Sequence, residues 1–570
     1  MPTPPEPSAR EQLLRLQRET FARLEEEIHS AQRRESRSLR AYRRRYDRQV
    51  RAYRRIVTKA QLLGQVTAAD IVYCGDYHTL MQAQRTAVRL LSPVLAQGRK
   101  VTLALEMIPK NAEKIANDFL RGELPEEAFL EKMDYRNTWG FPWPHYRQLF
   151  ELARKAGVDV VGLGSNLSDR LPLEARDDLA ADFIVEAALS DPQKLLFCLY
   201  GDLHIAEPHI PHRVQMRLER YGLKRKTLLI YQNSEEIYWK LAEQGLETTA
   251  DVVEIARNKY CILSAPPWIK WRSYKTWIED NSDLLEDPGD HEGAGETRDF
   301  YHQVFDLAQR IASFLGLKPR ELDRFNVLTA TDLNVIEVLE KYTKSLERPN
   351  IPVRSLIRAE ILENQSCLLP ERSVLYLSDL SENRAAEKAA QLVAAKMDPD
   401  PSGWVYGDSK DPKEVFYRLT LWEAIGFFGS KVINPKRKCS QYRDFEVLIE
   451  TTRRQRLKEG QRDHREVAIQ LLAHRAYELR RIKSGRAGGA PRKLYRLPPR
   501  QYFLAACHLG QILAHRLYEG LASERVSMDT IRGLFSPLPK DANGAESRYW
   551  DSAKILRHEL LGTESKEDRF

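Results

Sequence analysis

Between Thr67 and residue 280, short apolar runs alternate with helix-spaced segments, and this alternation constrains the fold more than any other feature of the chain. Residues 70–74 (DIVYC), 101–107 (VTLALEM), 158–163 (VDVVGL), 195–200 (LLFCLY), 227–231 (TLLIY) and 260–264 read as strands. Helical spacing over 79–91, 149–155 and 179–188 separates them. Strands that alternate with helices imply βαβ units, hence an α/β fold with a mainly parallel sheet flanked by helices. Open sheets of this kind place their ligands at the carboxyl ends of the strands.

The flanks are of another kind. Residues 11–60 contain neither Pro nor Gly, and apolar residues recur at three- and four-residue spacing: Leu14, Phe21, Leu24, Ile28, then Leu39, Tyr42, Tyr46, Tyr53. That periodicity predicts a long helical arm, straight or folded as a hairpin, with coiled-coil character. Eleven arginines stand between positions 33 and 55 against only Glu35 and Asp47. Such an arm suits an anionic partner, nucleic acid or a lipid surface, as well as a plain solvated face. The acidic, Gly-rich stretch 281–297 reads as a linker. Helical spacing follows over 300–315, 331–346 and 382–395, a strand over 374–377, and an apolar helix over 502–521. The expected organisation is therefore a basic arm (1–66), the α/β domain (67–280), the linker, a mixed, mostly helical domain (298–440) and a basic helical domain (441–570).

No run of apolar residues is long enough to span a bilayer, and no secretory leader is visible. The six cysteines (74, 198, 261, 367, 439 and 507) are scattered, without a CxxC pair. Scattered thiols in apolar runs fit a reducing compartment, so a cytoplasmic location is expected.

Two polar tetrapeptides sit at strand ends: Gly75-Asp76-Tyr77-His78 and Gly201-Asp202-Leu203-His204. Each glycine is expected to turn the chain tightly off its strand, and Asp76 and Asp202 precede helices that they are placed to cap. Glu106 interrupts an apolar strand, where a carboxylate is costly unless it is paired or reaches the sheet's edge. His78, Glu106 and His204 can thus converge on one cleft. In it they would serve as general acid and base toward water, or as three ligands to a divalent metal with an open fourth position. His209 and His212 follow in a Pro-broken segment and suit surface or packing roles. Trp139, Trp143 and Tyr146 suit either a core beneath a loop or the wall of a flat ligand's pocket.

GDYH, LALEM, WGFPWPHYRQLFELARKAGVDVVGLGSN, ARDDLAADFI and YGDLHIAEPHIPHRV occur in the order found in ChaN-like proteins, the haem-binding-uptake branch of the Tiki superfamily, which these residues resemble. The resemblance covers about 200 residues. It implies a site at His78, Glu106 and His204, with Gly75, Asp76, Tyr77, Gly201 and Asp202 around it and Arg176 and Asp177 as the family's RD pair. It also implies binding of a haem-like cofactor, or hydrolysis of an ester or amide at the same residues. Tyr77 is the nearest tyrosine for a haem iron, Tyr146 lies near the expected pocket, and Arg176 is suited to an anionic group. A small-molecule or porphyrin ligand is the expected partner, and a homodimer stays open. The remaining alternative is an interaction scaffold with a vestigial cleft.

Overall fold

A computed structural model describes residues 7–31, 36–165, 171–281, 300–330, 338–339, 341, 352–379, 381–401, 404–405, 409–485, 491–538 and 543–556. The chain groups into two units, one of residues 19–295 and one of residues 1–18 with 296–566. The linker expected over 281–297 and the helix expected over 331–346 fall almost entirely outside the described residues.

All six expected strands are present in the first unit, as β2 (Ile71–Asp76), β3 (Val101–Pro109), β4 (Asp159–Gly164), β5 (Leu195–Gly201), β6 (Thr227–Gln232) and β8 (Lys259–Ile262). They run parallel in the order β8-β6-β2-β5-β3-β4. β2 and β5 are buried along their whole length, as strands covered by helices on both faces must be. Two strands were not foreseen. β7 (Val252–Ala256) pairs antiparallel with β8, and β1 (Arg55–Ile56) pairs antiparallel with β7 and closes that edge. β1 has only two residues, too short for a periodic signal, and it follows the arginine run directly.

The arm forms two helices, Ala9–Ala31 and Arg37–Gln49. The second begins at a Ser36 cap, whose hydroxyl accepts from the Leu39 N–H, and it buries only Tyr42 and Tyr46. Its arginines Arg37, Arg40, Arg44 and Arg48 face solvent. This helix is held against the α/β unit. Tyr46 packs edge-on to Tyr231 of β6 (ring centroids 5.8 Å), Ser234 Oγ donates to the Val50 carbonyl (2.8 Å), and the chain runs on into β1.

In the second unit a three-stranded sheet, β10 (Ser366–Leu369), β11 (Val374–Leu377) and β9 (Asn326–Thr329), accompanies a mostly helical core. The helices Pro412–Ile433 and Pro499–Ala522 are largely buried, the latter matching the apolar segment 502–521. Lys388 is buried there and bonded to Glu360 at 2.7 Å, so each charge has the partner that burial demands. Among the described residues no helix is long and apolar enough to cross a membrane.

Candidate functional site

The chain lays β5 between β2 and β3, so the residues that follow or end these three strands become neighbours. Gly201, the last residue of β5, is their meeting point. A methyl group placed on its Cα would lie 3.3 Å from Glu106 Oε2, 3.4 Å from His78 Nε2 and 3.4 Å from His204 Cδ2. The two imidazoles and the carboxylate expected to converge are therefore brought together, on one side of one glycine.

Neither tetrapeptide glycine plays the expected part. Gly75 and Gly201 do not adopt left-handed φ, so the turn itself does not require them. They provide space. A Cβ at Gly75 would collide with the Asp202 carboxyl group, and one at Gly201 would crowd the three site side chains.

His78 is oriented by its own tetrapeptide. Its Nδ1 lies 2.9 Å from Asp76 Oδ2, and Asp76 also accepts from the Tyr146 hydroxyl (2.8 Å) and from Gln84 Nε2. Because the carboxylate can only accept, Nδ1 carries the proton and Nε2 faces Glu106 Oε2 at 3.7 Å. Burial works against a charged ring here, but Asp76 and Glu106 outweigh it and raise the His78 pKa above its ordinary value. Glu106 is balanced in turn: Oε1 accepts from Arg176 at 3.0 Å and Oε2 from the Gly201 N–H at 2.7 Å. A carboxylate inside a buried strand is thus satisfied on both oxygens.

His204 is oriented differently. Its Nδ1 lies 2.6 Å from Oδ1 of Asp177, a residue of the Leu173–Ser190 helix that is fully buried. The Tyr42 hydroxyl from the arm reaches the same carboxylate, 2.9 and 2.8 Å from its two oxygens, and also stands 2.8 Å from His204 Nδ1. Arg213 adds an ion pair to Asp177 at 3.6 Å. His209 stacks on the Tyr42 ring (3.8 Å, 15°) and bonds the Leu203 carbonyl through Nδ1. It therefore packs the arm in place, as the packing role expected for it requires.

Asp202 does not copy Asp76. Both of its oxygens are buried and lack a hydrogen-bond partner among the described residues. Burial foremost raises its pKa to about 7, with Lys270 opposing and Asp76 adding to the rise. Neither aspartate caps a helix: Leu80 precedes the Met81–Ala96 helix, and His209 precedes Ile210–Arg220. The aromatic trio divides. Trp143 packs among Phe129, Tyr135 and Phe150, and Tyr146 holds Asp76, whereas Trp139 borders His78.

Tyr42 and Asp177 are neighbours of His204 that the tetrapeptides did not announce. Asp177 was visible as half of the Arg176–Asp177 pair. Tyr42 was visible only as an apolar position on the arm's inner stripe, and nothing in its surroundings linked it to a residue 162 positions away.

Among the described residues no three His, Cys, Asp or Glu side chains are disposed to hold a metal ion. Both Glu106 oxygens are taken by donors, Arg176 and the Gly201 N–H, so the three-ligand metal arrangement has no geometric support. For a haem-like group the fit is partial. The half-buried rings of Trp139 and Phe141 lie 4.6 and 4.7 Å from His78, and Phe141 stacks on Trp277 at 4.8 Å, giving an aromatic rim with Arg176 nearby. Tyr77, however, lies beneath the Lys270 ammonium (4.8 Å). Burial, followed by Glu235, holds its phenol well above the usual range, which works against a phenolate ligand to iron.

Residues 62–170 match the family described as haem-binding uptake, Tiki superfamily, ChaN, and this stretch of the chain is ChaN-like. Among solved structures, one describing cofacial haem binding to ChaN of Campylobacter jejuni matches with 13% identity and a TM-score of 0.26, over 32% of this chain and 88% of that one. No curated protein matches the chain.

Proposed function

Starting from a ChaN-like stretch at residues 62–170, we propose that the centre around Gly201 binds a small ester or amide and hydrolyses it by acid–base chemistry. One observation carries this reading: two imidazoles, each with Nδ1 engaged by an aspartate, stand with a single carboxylate–guanidinium pair around one glycine. An Nδ1–H held by a carboxylate leaves Nε2 as the working nitrogen. His78, whose pKa is raised, is the proton donor toward the leaving group. His204 is the base that takes a proton from water, and Glu106 with Arg176 positions the substrate's polar atoms. The test is turnover of short-chain aryl esters and amides by the full chain. Glu106→Gln and His204→Ala each lower kcat/KM by a factor of about 10² to 10⁴ if these roles hold. Turnover that survives both changes sinks the proposal.

The aromatic rim supports a second reading, in which Trp139, Phe141 and Trp277 would hold a tetrapyrrole and Arg176 would pair with its anionic groups. Bound haem would supply redox or ligand-binding chemistry at its iron, and the part of this chain would be to shield and orient the macrocycle. Haemin added to the full chain then produces a shifted Soret band, and Trp139→Ala and Arg176→Gln weaken its binding. An unshifted band at saturating haemin argues for the hydrolytic reading alone.

A further inference from the structure

The two histidines of the site are held by the same device, and its second copy lies outside the ChaN-like stretch. At His78 the order is Tyr146 hydroxyl, Asp76 carboxylate, imidazole Nδ1, with spacings of 2.8 and 2.9 Å. At His204 it is Tyr42 hydroxyl, Asp177 carboxylate, imidazole Nδ1, with spacings of 2.8 and 2.6 Å. Both tyrosines are buried and both aspartates are deeply enclosed. The sources differ. Tyr146 belongs to the Trp143–Ala156 helix of the α/β domain, and Tyr42 to the arm helix Arg37–Gln49.

We infer that Tyr42 is a positioning residue of the site, the counterpart of Tyr146, and that residues 37–57 are a component of the site. Asp177 accepts from two donors, the Tyr42 O–H and the His204 Nδ1–H. The phenol takes up part of the carboxylate's charge, so less of it stabilises a protonated His204. The Nδ1–H held by Asp177 leaves the lone pair a base needs on Nε2. His209, stacked on the opposite face of Tyr42, fixes the phenol's direction. The arm is anchored independently of this contact through Tyr46, Val50 and β1, so Tyr42 does not carry the docking alone. This inference rests on the reading that the Nε2 of His204 serves the centre.

The groups facing His204 are Asp177, Tyr42, Tyr200 and His209, with Arg213 behind Asp177 and with Glu106 and His78 across Gly201. The experiment is a pH titration of the ring-nitrogen signals of ¹⁵N-labelled histidine in the full chain, with His204→Gln used to assign the His204 signal. Tyr42→Phe removes one donor from Asp177 and raises the His204 midpoint by about one pH unit. Arg45→Gln on the same helix breaks the outer pair with Glu174 (3.2 Å), leaves the Tyr42–Asp177 bond intact and keeps the midpoint within a few tenths. Site-specific fluorotyrosine at position 42, a stronger donor in a folded protein, moves the midpoint downward. An unchanged midpoint in Tyr42→Phe, or an equal shift in Arg45→Gln, overturns the inference. Because the imidazole itself is read, a failure to find ester turnover counts against the hydrolytic proposal and leaves this result standing.

Discussion

Gly75-Asp76-Tyr77-His78 and Gly201-Asp202-Leu203-His204 share three residue types in the same order and end adjacent parallel strands. Asp76 turns back on His78 and is itself held by Tyr146 and Gln84. Asp202 turns away from His204, beneath Gly75, and finds no partner among the described residues, while His204 takes its carboxylate from Asp177 on a helix. Each histidine has an aspartate at Nδ1, reached by a different route. A short motif therefore specifies where an imidazole is delivered, and the surrounding packing specifies which carboxylate orients it.

Exchanging the two aspartates for asparagine probes this difference most sharply. Asp76→Asn removes the acceptor that sets the His78 tautomer, and turnover falls by about 10³ to 10⁴, the scale seen when a histidine loses its orienting carboxylate. Asp202→Asn leaves kcat/KM within a few-fold. Equal losses in the two variants would erase the distinction.

The glycines give the next effect. Gly75→Ala drives a methyl group into the Asp202 carboxyl and costs about 2–3 kcal/mol, read as a lowered midpoint in urea. Gly201→Ala meets its neighbours at 3.3–3.4 Å, so it costs about 1 kcal/mol and shows chiefly as lost ligand binding or turnover.

Asp202 also sets a pH dependence. Its folded-state pKa of about 7 stands above the ordinary 3.8, so between pH 4 and pH 7 the folded state binds more protons than the unfolded chain, and stability falls as pH rises through that window. A gap of about three pH units sets an upper bound of about 4 kcal/mol. Asp202→Asn removes this loss. Its stability relative to the parent is unchanged near pH 4 and exceeds it by about 1–3 kcal/mol at pH 8, as denaturant titrations at the two pH values would record. A constant difference across that range would show that Asp202 is not held protonated by its surroundings.

The smallest expected effect concerns the arm. Arg45→Gln changes stability by less than about 0.5 kcal/mol, since the pair with Glu174 is exposed. A larger change would mean that the arginines, and not Tyr42 and Tyr46, dock the helix.

Much of the α/β unit was legible because its signals are local. Apolar runs of four to nine residues marked β2 to β6 and β8, and the strand-end position of the tetrapeptides singled out His78, Glu106 and His204. β1 and β7 were missed, since an antiparallel edge pair reports itself through its partner and not through its own period. The roles given to Gly75, Gly201, Asp76 and Asp202 were drawn from local turn chemistry. They changed because those residues answer to neighbours far along the chain.

By itself the sequence determined the strand–helix alternation, the parallel sheet it implies and the three residues at strand ends, because periodicity and chain direction fix which side chains leave a sheet at its carboxyl edge. Only the tertiary structure decided that β5 lies between β2 and β3, that Asp177 and not Asp202 meets His204, and that a tyrosine from the basic arm donates to that same Asp177 carboxylate. Those choices depend on which buried donors and acceptors can satisfy one another in three dimensions, a condition that no local stretch of the chain carries.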